Sequence, residues 1–223
     1  MIPALSKDAL HQLDLMLPVL QAAPWEGICD LWEMIEADLG VAGRAWLGRN
    51  DRYFLLTRLL HRMDAFHPWL YARCREVEAD PDGYLDLWAR EHYKSTIITF
   101  AGAIQEIARN PEITIGIFSH TKPVARKFLG QIKKEMEENR DLQETYPEVF
   151  WSDPKRQAPQ WSEEKGLIVQ RKTNPKEATL EAHGLVDGQP TGAHFLLRVY
   201  DDVVTLESVN TPEQVDKTTK AWE

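Results

Sequence analysis

Apolar residues recur at helical spacing through the first third of the chain. Leu10, Leu13, Leu17 and Leu20 fall three and four residues apart, and Tyr53, Leu56, Leu60 and Met63 repeat the pattern, so each set lines one helix face. Gly40, Gly43 and Gly48, with Asn50-Asp51, mark a break between the two helical sections, and residues 80–83, Asp-Pro-Asp-Gly, are a dense turn signal closing the second. Residues 1–80 therefore read as an N-terminal helical extension. Beyond the turn the pattern changes. Tyr84 to Trp88 is short and partly apolar and predicts a strand, and Thr96 to Ile107 predicts a helix with Ile97, Phe100, Ile104 and Ile107 on its buried side. Ile113 to Phe118 predicts a buried strand, followed by a long helix from Thr121 to about Asn139 in which Val124, Phe128, Ile132 and Met136 keep a four-residue spacing.

Between residues 141 and 176 the order lapses under Pro147, Pro154, Pro159 and Pro175, and only Gly166 to Arg171 reads as strand, one arm of a hairpin. Ala178 to Ala182 and His194 to Tyr200 predict two more strands joined by a turn-rich segment from Gly184 to Gly192. A last helix starts near Thr211, where Thr caps, Pro212 takes the first helical position and Gln214 closes a capping box. Alternating strands and helices over residues 81–223 imply an α/β core with a mainly parallel sheet flanked by helices.

Composition narrows the class without naming a chemistry. A chain of 223 residues, 43% of them hydrophobic, can bury a full core. Its net charge of −9 argues against a protein that coats nucleic acid over its whole surface, while leaving local basic patches open. Cys29 and Cys74 match no metal or redox spacing and read as reduced packing residues. No apolar run approaches a membrane span and the N-terminus has no signal-peptide pattern, so the expectation is a cytosolic protein.

The candidate chemistry lies in residues 88–96, Trp-Ala-Arg-Glu-His-Tyr-Lys-Ser-Thr. A Lys-Ser pair between a strand and a helix is how phosphates are gripped: backbone N–H groups close around them, the Lys reaches the outer phosphates, and the hydroxyl holds Mg²⁺. Trp88 and Tyr93 stand at the two positions that glycine ordinarily fills. The complementary half is Asp201-Asp202 at the end of a predicted strand, where two carboxylates are expected at the mouth of a parallel sheet on which the Lys94 loop also opens. There one acid can hold Mg²⁺ through water and the other can orient or deprotonate the attacking water. Taken singly, Asp-Asp after a strand is a common turn and Lys-Ser at a helix start a common cap; the pairing in one α/β chain carries the nucleotide reading.

Residues 84–99, Glu181-Ala-His-Gly184, residues 187–194 (Asp-Gly-Gln-Pro-Thr-Gly-Ala-His) and Tyr200-Asp-Asp-Val-Val-Thr205 closely resemble the ATPase domain of the large terminase subunit of tailed double-stranded DNA bacteriophages, from about residue 50 to the end. The resemblance implies a P-loop NTPase-type fold and a Mg²⁺-dependent ATPase that drives packaging of double-stranded DNA into the procapsid. That family commonly carries degenerate phosphate loops with an early Arg. Arg90, Glu91, His92, Tyr93, Lys94, Ser95 and Thr96 become the nucleotide-binding stretch, with Lys94 on the β- and γ-phosphates of ATP and Arg90 as the γ-phosphate arginine. Ser95 and Asp201 become the Mg²⁺-associated groups and Asp202 the catalytic acid, one methylene shorter than the usual Glu, with Glu207 as fallback. Arg198 departs from the family's apolar run before the acids and questions whether that strand is buried on both faces. The implied partners are double-stranded DNA, the portal protein and the small terminase subunit. The implied assembly is a homo-oligomeric ring on the procapsid, with a monomer in isolation as the alternative. The place of action is the cytoplasm of the infected bacterial host, outside the mature virion. The family's C-terminal nuclease finds no counterpart in these acids. A non-hydrolysing nucleotide-binding or structural module, and a helicase-like ATPase of another DNA transaction, are the competing classes.

Smaller features carry two readings each. Phe66-His67-Pro68-Trp69 fits helix-end packing or an adenine contact, and Ser119-His120-Thr121 fits a helix cap or a DNA-coupling loop. Lys155, Arg156, Lys165, Arg171, Lys172 and Lys176, around Trp161, fit a phosphate-tracking surface or a solvated hairpin. His92 reads as a spacer without an acid–base role.

Overall fold

The computed structural model describes residues 7–80, 83, 85–89, 91–186 and 192–221, the side chains of 7, 8, 10 and 207 excepted. In chain order the elements are α1 (Lys7–Ala22), α2 (Ile28–Asn50), α3 (Arg52–Phe54), α4 (Pro68–Ala79), α5 (Gly102–Arg109), β1 (Ile115–Ser119), α6 (Lys122–Glu138), α7 (Arg140–Thr145), α8 (Pro154–Gln157), β2 (Trp161–Ser162), β3 (Gly166–Leu167), β4 (Leu180–Gly184), β5 (Leu197–Tyr200) and α9 (Pro212–Lys220). They form two compact units, one of residues Met1–Arg109 and Asn139–Phe150, the other of Asn110–Glu138 and Trp151–Glu223.

The first unit is helical. Leu13 and Leu20 of α1 are buried, as their spacing predicts. The expected glycine break falls at Gly40 alone, whose φ of 56° and ψ of −136° interrupt α2. Gly43 and Gly48 stay helical, and close neighbours leave no room for a side chain there: a Cβ on Gly48 would lie 2.2 Å from the Tyr146 hydroxyl. Asp51 ends α2 and starts α3, its Oδ1 accepting from the N–H groups of Tyr53 and Phe54 at 2.9 and 3.0 Å. The helix expected to run through Met63 stops earlier. After a π-helical stretch over Leu55–Leu59, His61 takes a left-handed φ of 54° and the Arg62 N–H closes the end on the Leu56 carbonyl at 3.0 Å, which leaves Met63 55% exposed.

A buried charge network ties the helices of this unit together. Asp51 Oδ2 accepts from Trp32 Nε1 at 2.9 Å and from Arg75 Nη2 at 2.8 Å. Glu78 Oε1 accepts from the Arg52 N–H at 2.8 Å and from Gln105 Nε2 at 3.1 Å, and Arg52 Nε donates to Gln105 Oε1 at 2.9 Å. Burial, reinforced by the Asp51 charge, raises the Glu78 carboxyl above the ordinary glutamate range, and the arginines only partly oppose it.

The second unit is an α/β layer. Its five-stranded sheet runs β2-β3-β4-β1-β5, with β4 and β5 parallel to β1 on either side and the β2–β3 hairpin antiparallel at one end. The sheet is thus mixed, with a parallel centre. Register places Gly116, Phe118, Glu181, His183, Arg198 and Tyr200 on one face and Ile115, Ile117, Leu180, Ala182, Leu197 and Val199 on the other. A Cβ on Gly116 would come within 2.7 Å of the Phe118 and Phe195 rings, so the position takes glycine. α6 packs against β1 and β4. Its buried residues are Ala125, Leu129, Ile132 and Met136. Val124 and Phe128 of the predicted stripe are only half-buried, because a strict four-residue repeat drifts around a 3.6-residue helix while the 4-3-4 spacing stays on one face. The strand expected over Gly166 to Arg171 shrinks to two residues, yet it is an arm of a hairpin as predicted.

Candidate functional site

The stretch Glu91 to Thr96, expected to bind nucleotide, lies in the helical unit. The strand predicted before it does not form: residues 85–89 have no regular structure, and Tyr84 lies outside the described residues. Leu85 and Leu87, which a strand would turn to one covered face, are 78% and 84% exposed. Asp86 between them is half-buried, and burial lifts its carboxyl, with a hydrogen bond from Trp88 and the Lys94 charge acting against the rise.

The helix behind the loop forms as predicted. It opens at Lys94 and Ser95, continues as a π-helix over Thr96–Ala101 and becomes α5, and Ile97, Phe100, Ile104 and Ile107 are all buried. The loop itself is the unexpected part. Glu91 and Tyr93 have φ of 64° and 63°, left-handed conformations on either side of His92. Such backbone costs a residue with a Cβ about 1–2 kcal/mol, which is why glycine ordinarily supplies it. The Tyr93 carbonyl takes the first helical bond, from the Ile97 N–H at 2.8 Å.

Side chains hold this loop from outside. The Tyr93 phenol donates to the Asp64 carboxylate, and that bond raises the phenol above its ordinary range. Trp69 meets Trp88 and His92 edge-on, at ring-centroid distances of 5.7 and 5.5 Å. His67 caps α4, its Nδ1 accepting from the Trp69 N–H at 3.1 Å, so the helix-end reading of the Phe66 to Trp69 segment holds for His67, while Trp69 faces the loop. Lys94, Ser95 and Thr96 are half-buried, Glu91 and His92 exposed. Arg90 lies outside the described residues.

The acid pair lies in the α/β unit. Asp201 follows β5 and is buried, and Asp202 is exposed with a left-handed φ of 51°. Hydrogen bonds sew this turn to β1 and the residue after it: Asp201 N–H to the Phe118 carbonyl at 2.8 Å, Ser119 Oγ to the Asp201 carbonyl at 2.6 Å, and His120 N–H to the Asp202 carbonyl at 3.2 Å. Thr121 then starts α6, its carbonyl accepting from Val124 and Ala125. Glu207 opens the short 3₁₀ turn Glu207–Val209; its side chain lies outside the described residues. β5 is the end strand of the sheet, with Arg198 exposed and Tyr200 39% exposed, which answers the question Arg198 raised: the strand is not buried on both faces.

The two predicted sets, Glu91 to Thr96 and Asp201-Asp202 with Glu207, are thus each placed within one unit. Among the described residues no group of three His, Cys, Asp or Glu could hold a metal by itself. Sequence reasoning gave no role to Glu181 and His183. Their Oε2 and Nε2 are 3.0 Å apart on the sheet face that also carries Phe118, Phe195 and Tyr200, and a polar-x-polar alternation in β4 was the available signal.

Much of the basic segment is engaged locally: Lys155 with Glu137 at 3.1 Å, Arg156 with Asp153 at 3.5 Å, Arg171 with the Glu177 carbonyl at 3.0 Å and Lys176 with the Gly192 carbonyl at 3.0 Å. A groove of about 540 Å³ lined by Val209, Thr211, Val215, Asp216 and neighbours contains none of the predicted site residues. Among the described residues no helix is long and apolar enough to cross a membrane. Family models, curated proteins and solved structures, each searched with this chain, give no match.

Proposed function

We propose that this chain is the ATP-hydrolysing motor domain of a terminase large subunit, with the phosphates of ATP held by residues 90–96. The observation that supports it most is the left-handed backbone at Glu91 and Tyr93 immediately before Lys94-Ser95. Tyr93, at one of the two positions where the signature carries glycine, has the left-handed backbone that glycine readily supplies. The parallel β4-β1-β5 centre, with an acid pair directly after β5, supports the P-loop NTPase part of the reading.

In this reading the loop N–H groups and the Lys94 ammonium bind the β- and γ-phosphates, and Arg90 adds charge at the γ-phosphate. Ser95 and Asp201 would hold Mg²⁺, which when bound offsets the charge that develops on the phosphates. Asp202 orients and deprotonates the attacking water, with Glu207 as the substitute acid. Double-stranded DNA, the portal protein and the small terminase subunit are the proposed partners, in a ring on the procapsid in the host cytoplasm. A second reading, a nucleotide-binding module without turnover, draws on the missing strand over residues 85–89.

Equilibrium binding and steady-state turnover of Mg·ATP by the chain, Lys94→Ala and Asp202→Asn separate these readings. Lys94→Ala is expected to lose binding, and Asp202→Asn to keep binding and lose turnover. Turnover that survives Lys94→Ala sinks the enzyme reading, and a chain that binds no nucleotide sinks both.

A further inference from the structure

Glycine normally needs no help to hold a left-handed turn, but tyrosine does. At Tyr93 the help is visible, because the phenol donates to Asp64, 29 residues earlier. Asp64 lies in the 3₁₀ turn Met63–Ala65, and that turn is mounted on the core of the helical unit. The fully buried Tyr53 hydroxyl donates to the Ala65 carbonyl at 3.2 Å and accepts from the His67 N–H at 2.9 Å. The Phe66 N–H closes the turn on the Met63 carbonyl at 3.1 Å. Asp64 itself is exposed, so its carboxylate has little packing role of its own.

We infer that Asp64 is a positioning residue for the phosphate loop: by gripping the Tyr93 phenol it holds the backbone left-handed at residue 93, immediately before the helix start at Lys94-Ser95. A tether to the core thereby replaces the freedom that glycine would have supplied. The inference rests on the phosphate-binding reading of the loop, but the tether is measurable without nucleotide.

The test uses the full chain in five forms beside wild type: Asp64→Ala, Asp64→Asn, Tyr93→Phe, Tyr93→Gly and the double variant Asp64→Ala with Tyr93→Gly. Two quantities are read, the affinity for a fluorescent ATP analogue with Mg²⁺ and the amide hydrogen exchange of residues 91–97, with circular dichroism to confirm folding. Asp64→Ala and Tyr93→Phe are each expected to weaken affinity about tenfold, the factor set by an untethered left-handed tyrosine, and to speed exchange at the Ile97 N–H. Asp64→Asn, which keeps an acceptor, restores most of the loss. Because glycine needs no tether, adding Asp64→Ala to Tyr93→Gly is expected to change neither readout relative to Tyr93→Gly alone.

An Asp64→Ala variant with wild-type affinity and exchange overturns the inference. So does one that damages the Tyr93→Gly chain as much as wild type, because Asp64 would then act on something other than Tyr93. If wild type binds no nucleotide, the phosphate reading falls and exchange alone decides: faster exchange in Asp64→Ala and Tyr93→Phe upholds the tether, unchanged exchange removes it.

Discussion

Two turns of this molecule, one just before the helix that opens at Lys94 and one just after β5, pass through a left-handed residue that is not glycine, and they are held in different ways. At Asp202 the turn's backbone is held by three hydrogen bonds, two backbone–backbone ones with Phe118 and His120 and one from the Ser119 hydroxyl to the Asp201 carbonyl. Aspartate is also among the residues that visit this conformation readily. At Tyr93 the residue is a poor left-handed former and the fixation comes from side chains, the Asp64 carboxylate and the Trp69 edge on His92. The Asp202 turn should therefore tolerate change of the Asp202 side chain and be weakened by loss of the Ser119 hydroxyl. The loop should instead depend on the side chain of its left-handed residue.

The largest expected effect tests whether both turns are chemical at all: Lys94→Ala and Asp201→Ala should each lower ATP turnover by about 10²-fold or more in a steady-state phosphate-release assay. The thermal midpoint of Lys94→Ala should stay put. Next, Ser119→Ala should cost about 2 kcal/mol in urea unfolding, because the Asp201 carbonyl loses a buried donor 2.6 Å away. A loss below roughly 0.5 kcal/mol would show that the strand bonds hold the turn alone.

Smaller still, Asp202→Val should cost about 1 kcal/mol, as a β-branched residue enters left-handed backbone, whereas Asp202→Asn should stay within about 0.5 kcal/mol. The smallest test concerns α4, which presents Trp69 to the loop at one end and Glu78 to the buried network at the other. Burial raises the Glu78 carboxyl, so the folded state holds its proton more tightly than the unfolded chain does. Its contribution is present at low pH and lost as pH rises from the ordinary glutamate range through the raised value. Glu78→Gln should flatten that part of the pH–stability curve. Loop exchange should stay unchanged if the loop depends on Asp64 and Trp69 alone.

The legible parts of the fold were those where period and burial agree. Ile97, Phe100, Ile104 and Ile107 reach the interior as their spacing predicts, and Asp201-Asp202 follow a strand as expected. The segment from Tyr84 to Trp88 misled because two leucines around an aspartate look like an alternating strand only if something covers the leucines, and Leu85 and Leu87 remain open. Gly43 and Gly48 read as helix breakers but serve close approach, which no local pattern distinguishes. Asp51, read as part of a turn, is a buried cap and the partner of Arg75, a pairing set by residues far apart in the chain.

By itself the sequence determined the helical first section, the α/β alternation beyond it, and the placing of Lys94-Ser95 at a helix start and of two acids at a strand end, because these follow from side-chain period and local turn chemistry. Only the tertiary structure decided that Glu91 and Tyr93 take left-handed backbone. Left-handed conformation at such residues is locally unfavourable, and it persists at Tyr93 where Asp64, remote in sequence, holds the phenol in place.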